Sequence, residues 1–353
     1  PPAPRPATRI GAVLLATTTV VTLVLATMGE IPPIVPIAVL VAQWGFARIH
    51  RDRVREVLEA AQRPCHDLEL LAAMLERISS GEFRSARLRE LHTALETEGL
   101  APHARLRRLR LLIDSLVARL NPFFAPIGAL MLWTTQFSFA LAAWRSRHGP
   151  AMIRWLDVVG EFEALASLAC HCHENPEDAF PEFDAGPARF VAGGLGHPLL
   201  ARAQCVRNDL TLGPEPSVLL VSGSNMSGKS TLLRTVGVNA VLALAGSPVR
   251  ARSLFLSPLA IGASIRAHDS IREGTSRFFA EITRIRSIVE LTRGERPALF
   301  LLDEILQGTN SEDRRRGAEA VVDDLVAAGA IGLITTHDLA LTDMATRLGA
   351  RAR

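Results

Sequence analysis

Lysine is almost absent from this chain: one residue in 353, against 38 arginines. Where arginine meets every other cationic need, a retained ammonium marks a place that requires a compact point charge, and that place is Lys229. Cysteine is scarce too. Cys65, Cys170, Cys172 and Cys205 form no disulfide framework, and the run Cys170-His171-Cys172-His173 is a poor metal site because only Cys170 and His173 share a helix face. A net charge of only +3 excludes strong overall attraction to nucleic acid, so any such binding must come from local patches. No Gly/Ser-rich linker, internal repeat or low-complexity tract occurs; Gly186-Pro187 and Gly193-Gly194 mark the evident domain boundary. The length accommodates two domains and a membrane segment.

What is present centres on Lys229. The run Gly223-Ser224-Asn225-Met226-Ser227-Gly228-Lys229-Ser230 fits the phosphate-binding loop pattern, in which backbone N–H groups curl around a phosphate and a following helix points its positive end at it. Residues 217–221 read as the preceding strand and residues 231–242 as the following helix. Lys229 then reaches the β- and γ-phosphates, Ser230 binds Mg²⁺, and Gly223 and Gly228 keep the loop clear of side chains. Residues 298–302 are five consecutive apolar residues, a buried parallel strand that ends in Asp303-Glu304 at the edge where such sheets bind ligands. Asp303 is placed to hold Mg²⁺ through its water shell and Glu304 to accept a proton from an attacking water. A third strand, residues 330–335, runs into Thr336-His337-Asp338, which puts His337 within reach of a γ-phosphate or that water.

These residues carry a resemblance. The loop with Asn225-Met226 inside it is similar to that of the MutS family of DNA mismatch-repair ATPases. So are residues 261–263, Asp269 and residues 276–281 to that family's signature loop, residues 301–305 with Gly308-Thr309 to its Walker B segment, and residues 335–338 to its switch histidine. Gly196-His197-Pro198 and Asn208-Asp209 fit the entry to its ATPase domain, and residues 155–168 look like the helix that leads into it. The resemblance implies an α/β fold: an ABC-like, MutS-type P-loop NTPase domain with a parallel-rich sheet over 186–353, preceded by an all-α core domain over 51–185. It implies ATP and Mg²⁺ as cofactors. Gly223, Ser224, Asn225, Met226, Ser227, Gly228, Lys229, Ser230 and Thr231 would cradle the nucleotide, with Ser230 and Asp303 on the metal and Glu304, His337 and Lys229 in catalysis. It further implies a homodimer with composite sites, Ser276 being offered to the partner's γ-phosphate, and a cycle that switches grip on DNA.

Some positions depart from the family pattern. Ser224 and Ser227 stand where proline and glycine are commoner, Leu306-Gln307 replaces the usual residues after Walker B, and Cys205-Val206 replaces the aromatic that stacks on adenine. Phe180-Pro181-Glu182 and Phe279-Ala280-Glu281 share letters with the family's Phe-x-Glu mismatch wedge but not its domain, so direct mismatch sensing is not implied. The chain stops before the helix-turn-helix that closes the family's dimer, which makes it either a fragment or a dimer held by other contacts.

The amino-terminal part sets the chain apart. Residues 10–29 are an uncharged run of 20, and residues 31–47 form a second apolar run whose prolines lie at its start. Together residues 1–50 read as a two-pass transmembrane hairpin contacting lipid through 10–47. Arg5 and Arg9 precede it and Arg48, Arg51, Arg53 and Arg55 follow it, so both ends and the ATPase face the cytoplasm. A cleaved signal peptide and a pair of buried soluble helices are the competing readings. Residues 121–143 are predicted as a buried core helix rather than a third crossing. Residues 102–113 place arginines on one face and leucines on the other, suiting DNA phosphate, anionic lipid or plain solvent. Three functions remain: a DNA-linked ATPase at the membrane, in mismatch repair or a related transaction with a membrane or repair partner; an ATPase driving or regulating transport, although no LSGGQ-type signature is present; or a nucleotide-dependent scaffold.

Overall fold

The computed structural model describes residues 4–61, 66–96, 101–224, 227–265, 277–306, 309–337 and 343–353. It divides into two compact units, Pro1–Leu165 and Ala166–Arg353.

In the first unit every described element is helical. It contains α1 (Pro6–Thr27), α2 (Ile34–Ile49), α3 (Arg51–Ala61), α4 (His66–Ser79), α5 (Ala86–Leu95), α6 (Pro102–Val117), α7 (Ala125–Leu130) and the start of α8 (Trp133–Glu174). α1 begins at a proline, whose missing N–H costs nothing in a first turn. At 22 residues it is about 33 Å long, and among the described residues it alone is long and apolar enough to cross a membrane; α2 is apolar but has 16 residues. Two exposed threonines of α1 satisfy their hydroxyls within the helix: Thr17 and Thr22 donate to the carbonyls of Val13 and Thr18 one turn back.

The remaining helices build a conventional core. α6 buries Leu106, Leu109, Ile113 and Leu116 at helical spacing, against Leu75 of α4, Leu91 and Leu95 of α5 and Trp155 of α8. Its arginines lie on the opposite face, where Arg107 meets Glu76 and Arg110 meets Glu69, each at 2.7 Å. Such half-exposed pairs contribute about 0–1 kcal/mol each, but they occupy cations that could otherwise have met phosphate. Residues 121–143 are not one buried helix. α7 ends at Leu130, Leu132 has a left-handed φ of 50°, and α8 starts afresh at Trp133, while Phe123, Ile127 and Met131 remain exposed. Pro122 and Pro126 confine α7 to a short piece, and a bulky residue at positive φ breaks a helix wherever it occurs.

α8 continues to Glu174 with Pro150 inside it, and so runs into the second unit. There the strands are β1 (Glu182–Phe183), β2 (Phe190–Leu195), β3 (Asn208–Leu212), β4 (Val218–Ser222), β5 (Ser253–Leu256), β6 (Ala260–Ser264), β7 (Ala298–Asp303) and β8 (Ile331–Thr336). The helices are α9 (Lys229–Leu244), α10 (Arg277–Leu291), α11 (Ser311–Ala327) and α12 (Asp343–Leu348). One sheet has the order β1-β5-β2-β3, with β2 antiparallel to both neighbours; the other, β4-β8-β7-β6, is parallel throughout. β7 explains the layering. Leu299 and Leu301 face α9, packing with Leu233, Val236 and Ala240 between the two sheets, whereas Phe300 and Leu302 face Ile285 of α10 and Val322 of α11. Gly237 lets α9 approach β7 closely, since a Cβ there would lie 2.9 Å from Leu301 Cδ1 and that side chain would have to shift.

Candidate nucleotide site

Strand order brings the motifs together. β8 lies between β4 and β7, with Ser222 opposite Thr336 and Asp303 opposite Thr335. The loop after β4, the carboxylates ending β7 and the histidine ending β8 therefore emerge side by side, within two strand spacings or about 10 Å. This is the carboxyl edge at which open α/β sheets bind ligands.

Gly228 has φ 90° and stands at the N-cap of α9, a conformation glycine adopts without strain. Among the described residues no side chain caps α9, which leaves its first-turn N–H groups available to an anion. Lys229 is buried; its Nζ donates to the carbonyls of Gly223 at 2.6 Å and Ser224 at 2.9 Å. Two of the three ammonium protons thus hold the loop closed on itself. Ser227 and Thr231 are exposed and Ser230 is half-buried. Asn225 and Met226 lie outside the described residues, as do Asp269, Ser276, Gln307, Gly308 and Asp338.

Asp303 is buried at the end of β7. Its Oδ1 accepts a hydrogen bond from the Thr335 hydroxyl, while Oδ2, also buried, has no partner among the described residues. An orphaned carboxylate oxygen at such a position suits a hard divalent cation, so the donor set of Asp303 and the Ser230 hydroxyl fits Mg²⁺. Glu304 follows with a left-handed φ of 51° and donates its N–H to Thr335 O at 3.1 Å. That sparsely populated conformation turns the Glu304 carboxylate to where His337 Nδ1 lies 3.4 Å from its Oε1. A carboxylate and an imidazole in this arrangement can share a proton taken from water.

Several contributors carried little signal in the sequence. Thr335 is one, visible only as half of a threonine pair at a strand end. Glu281 is another: from α10 it accepts the N–H of Leu306, itself at φ 58°, while Arg314 of α11 donates to the Leu306 carbonyl at 3.2 Å. The turn after Asp303-Glu304 is thus clamped from two helices. Beneath α9, Asp178 bridges Arg250 at 3.0 Å and Arg202 at 3.1 Å. Arg250 also donates to Asn175 Oδ1 at 2.9 Å, and Asn239 of α9 accepts the Arg250 N–H at 2.8 Å and donates to Gly196 O at 3.0 Å. This buried network ties the Gly196-His197-Pro198 segment to α9. Burial, with Arg234 of α9 nearby, holds the His197 imidazole below its ordinary pKa, and Val206 is exposed where an aromatic was missing. Asp209, expected at the domain entry, accepts the Gly194 N–H at 2.7 Å, which with Arg252 keeps its carboxyl below the usual range.

A family model described as MutS domain V matches residues 219–352. DNA mismatch repair protein MutS 2 of Halobacterium salinarum is 35% identical over 213 residues, which are 59% of this chain and 23% of that protein. Endonuclease MutS2 of Thermus thermophilus is 34% identical over 142 residues, 40% of this chain and 18% of that protein. DNA mismatch repair protein MutS of Thermotoga neapolitana is 32% identical over 207 residues, covering 56% and 24%. The chain therefore spans only about a fifth to a quarter of the length of these relatives. The matched residues take in β4, the glycine loop, α9, the Asp303-Glu304 strand end and His337, so it is over the second unit that the chain is similar to MutS domain V.

Proposed function

We propose that the second unit is a Mg²⁺-dependent ATPase whose cycle controls contact with DNA, in mismatch repair or a related transaction at the membrane. One observation carries the reading: Lys229, the Asp303-Glu304 pair and His337 stand at the ends of three adjacent, register-matched parallel strands. Lys229 would exchange its loop carbonyls for phosphate oxygens, and the α9 N–H groups would take the remaining charge. Ser230 and Asp303 would hold Mg²⁺, which supplies neutralisation of phosphate charge. Glu304 would accept the proton of the attacking water, with His337 steadying the water or the γ-phosphate. Ser276 would complete the site of a second copy, making a homodimer the working unit. The hairpin α1–α2 would fix the protein to the cytoplasmic membrane with both of its ends, and the ATPase, in the cytoplasm.

The test is ATP hydrolysis by the detergent-solubilised full chain, with and without homoduplex, mismatched and branched DNA. Lys229→Ala should abolish turnover, and Glu304→Gln should retain ATP binding while lowering turnover by about 10²–10⁴-fold. Hydrolysis that survives Lys229→Ala would refute the site. Hydrolysis indifferent to every DNA would refute the DNA coupling and favour a partner within the membrane, a reading consistent with the paired arginines of α6.

A further inference from the structure

The chain leaves the helical core at Val117 and returns to it at once. Trp133 Nε1 donates to Ser115 O at 2.7 Å, and the Trp133 ring meets Phe124 edge-on with centroids 5.0 Å apart. Between Arg119 and Arg145 no residue is charged. An uninterrupted helix of that stretch would cross a bilayer, but the break at Leu132 folds it back, leaving α7 with six residues where a crossing needs about 20.

The excursion has two unlike sides. Outward it presents Phe123, 90% exposed, and Ile127, 53% exposed, with Leu120 and Met131 beside them. Inward, Leu132 and Phe139 pack on Ala12, Leu15, Phe46 and Ala47 of the hairpin. Ala129 O keeps the Leu132 N–H at 3.2 Å, but the break leaves the Leu130 carbonyl with no backbone donor among the described residues, a cost of several kcal/mol where water is absent. Gln43 of α2 removes it: Nε2 donates to Ala129 O and Leu130 O, both at 2.9 Å, and Thr19 of α1 donates in turn to Gln43 Oε1. All three amide and hydroxyl groups are thus spent inside an otherwise apolar assembly. Thr19 satisfies the amide oxygen within the hairpin, but the amide N–H groups of this buried glutamine find their acceptors on the excursion.

We propose that residues 120–139 form a re-entrant element lodged in the cytoplasmic leaflet against the hairpin, with lipid acyl chains as the partner of Phe123 and Ile127. This rests on the hairpin spanning the membrane. Arg119 and Arg145 at its two ends, like Arg48 and Arg51 after α2, mark the cytoplasmic side. A re-entrant turn also preserves the parity that a third crossing would break.

The experiment attaches an environment-sensitive fluorophore to single cysteines, Phe123→Cys, Ile127→Cys, Val21→Cys or Glu82→Cys, in the full chain with its four native cysteines replaced by serine. The proteins are placed in phosphatidylcholine/phosphatidylglycerol vesicles carrying acyl-chain nitroxides. Labels at 123 and 127 should be quenched as strongly as that at 21, on the exposed face of α1, and the label at 82 should not. Quenching at 21 alone would overturn the re-entrant element and leave the hairpin standing; no quenching at 21, 123 or 127 would overturn both. In intact cells, Glu82→Cys should resist a membrane-impermeant maleimide added outside, and its modification would mean a third crossing, which would put residues 48–120 on the outer side.

Discussion

Thr335→Val isolates the support beneath Asp303, the carboxylate proposed to hold Mg²⁺. The side chains are nearly isosteric, Thr335 is fully buried in β8, and valine suits a strand, so the exchange removes one hydroxyl and little else. Among the described residues that hydroxyl is the only hydrogen-bond donor to the Asp303 carboxylate, whose other oxygen meets none. A hydrogen bond to a charged group is worth about 1.5–3 kcal/mol, which at about 1.4 kcal/mol per decade is one to two decades. Loss of an outer partner of a metal ligand typically costs about 10–100-fold in metal affinity, the same range. The Mg²⁺ concentration giving half-maximal ATP hydrolysis should therefore rise by about 10–100-fold in Thr335→Val. Turnover at saturating Mg²⁺ should fall far less, and nucleotide binding without Mg²⁺ should not change. An unaltered Mg²⁺ requirement would refute the assignment of Asp303 to the metal. A loss of nucleotide binding without Mg²⁺ would instead show that the hydroxyl supports the loop.

Two further outcomes test other parts of the molecule. Asp178→Ala strands Arg250, whose side chain is 4% exposed, and should cost about 3–5 kcal/mol, read as a lower thermal midpoint of the full chain; replacing Asp178 and Arg250 together by Leu and Met should cost much less. Burial, together with Arg105, Arg147 and Arg108, holds the His148 imidazole below its ordinary value of 6.5, and Arg105 donates to its Nδ1 at 3.4 Å. Because the folded state prefers neutral His148, its contribution is complete above 6.5 and is lost as pH falls through the lowered folded value. His148→Gln should flatten that part of a stability-versus-pH curve, and an unchanged slope would exclude His148 as its source.

The site was legible where chemistry constrains sequence locally. A glycine loop between a strand and a helix, and acids ending an apolar run, are written within a few residues of one another, and β4, α9 and β7 stand where those patterns place them. What local pattern cannot carry is which strands are neighbours. Parallel strands are joined by crossovers, so nothing near residue 331 announces that β8 divides β4 from β7. The Asp178–Arg250–Asn239 network was hidden for a related reason: one arginine among 38 has no sequence mark of burial. The break at Leu132 was missed because hydropathy measures an apolar run and not its continuity. Gln43 was the available clue, a lone amide in residues 31–47 that has to be satisfied by something.

The solitary ε-amine gives the protein an unusual chemical address. An amine-directed reagent has one side-chain target in the entire sequence, and that target is buried and held by the carbonyls of Gly223 and Ser224. Acylation there would report the opening of a single loop against no background from other side chains. The scarcity that first drew notice to Lys229 thus turns ordinary lysine chemistry into a clock for the proposed nucleotide cycle.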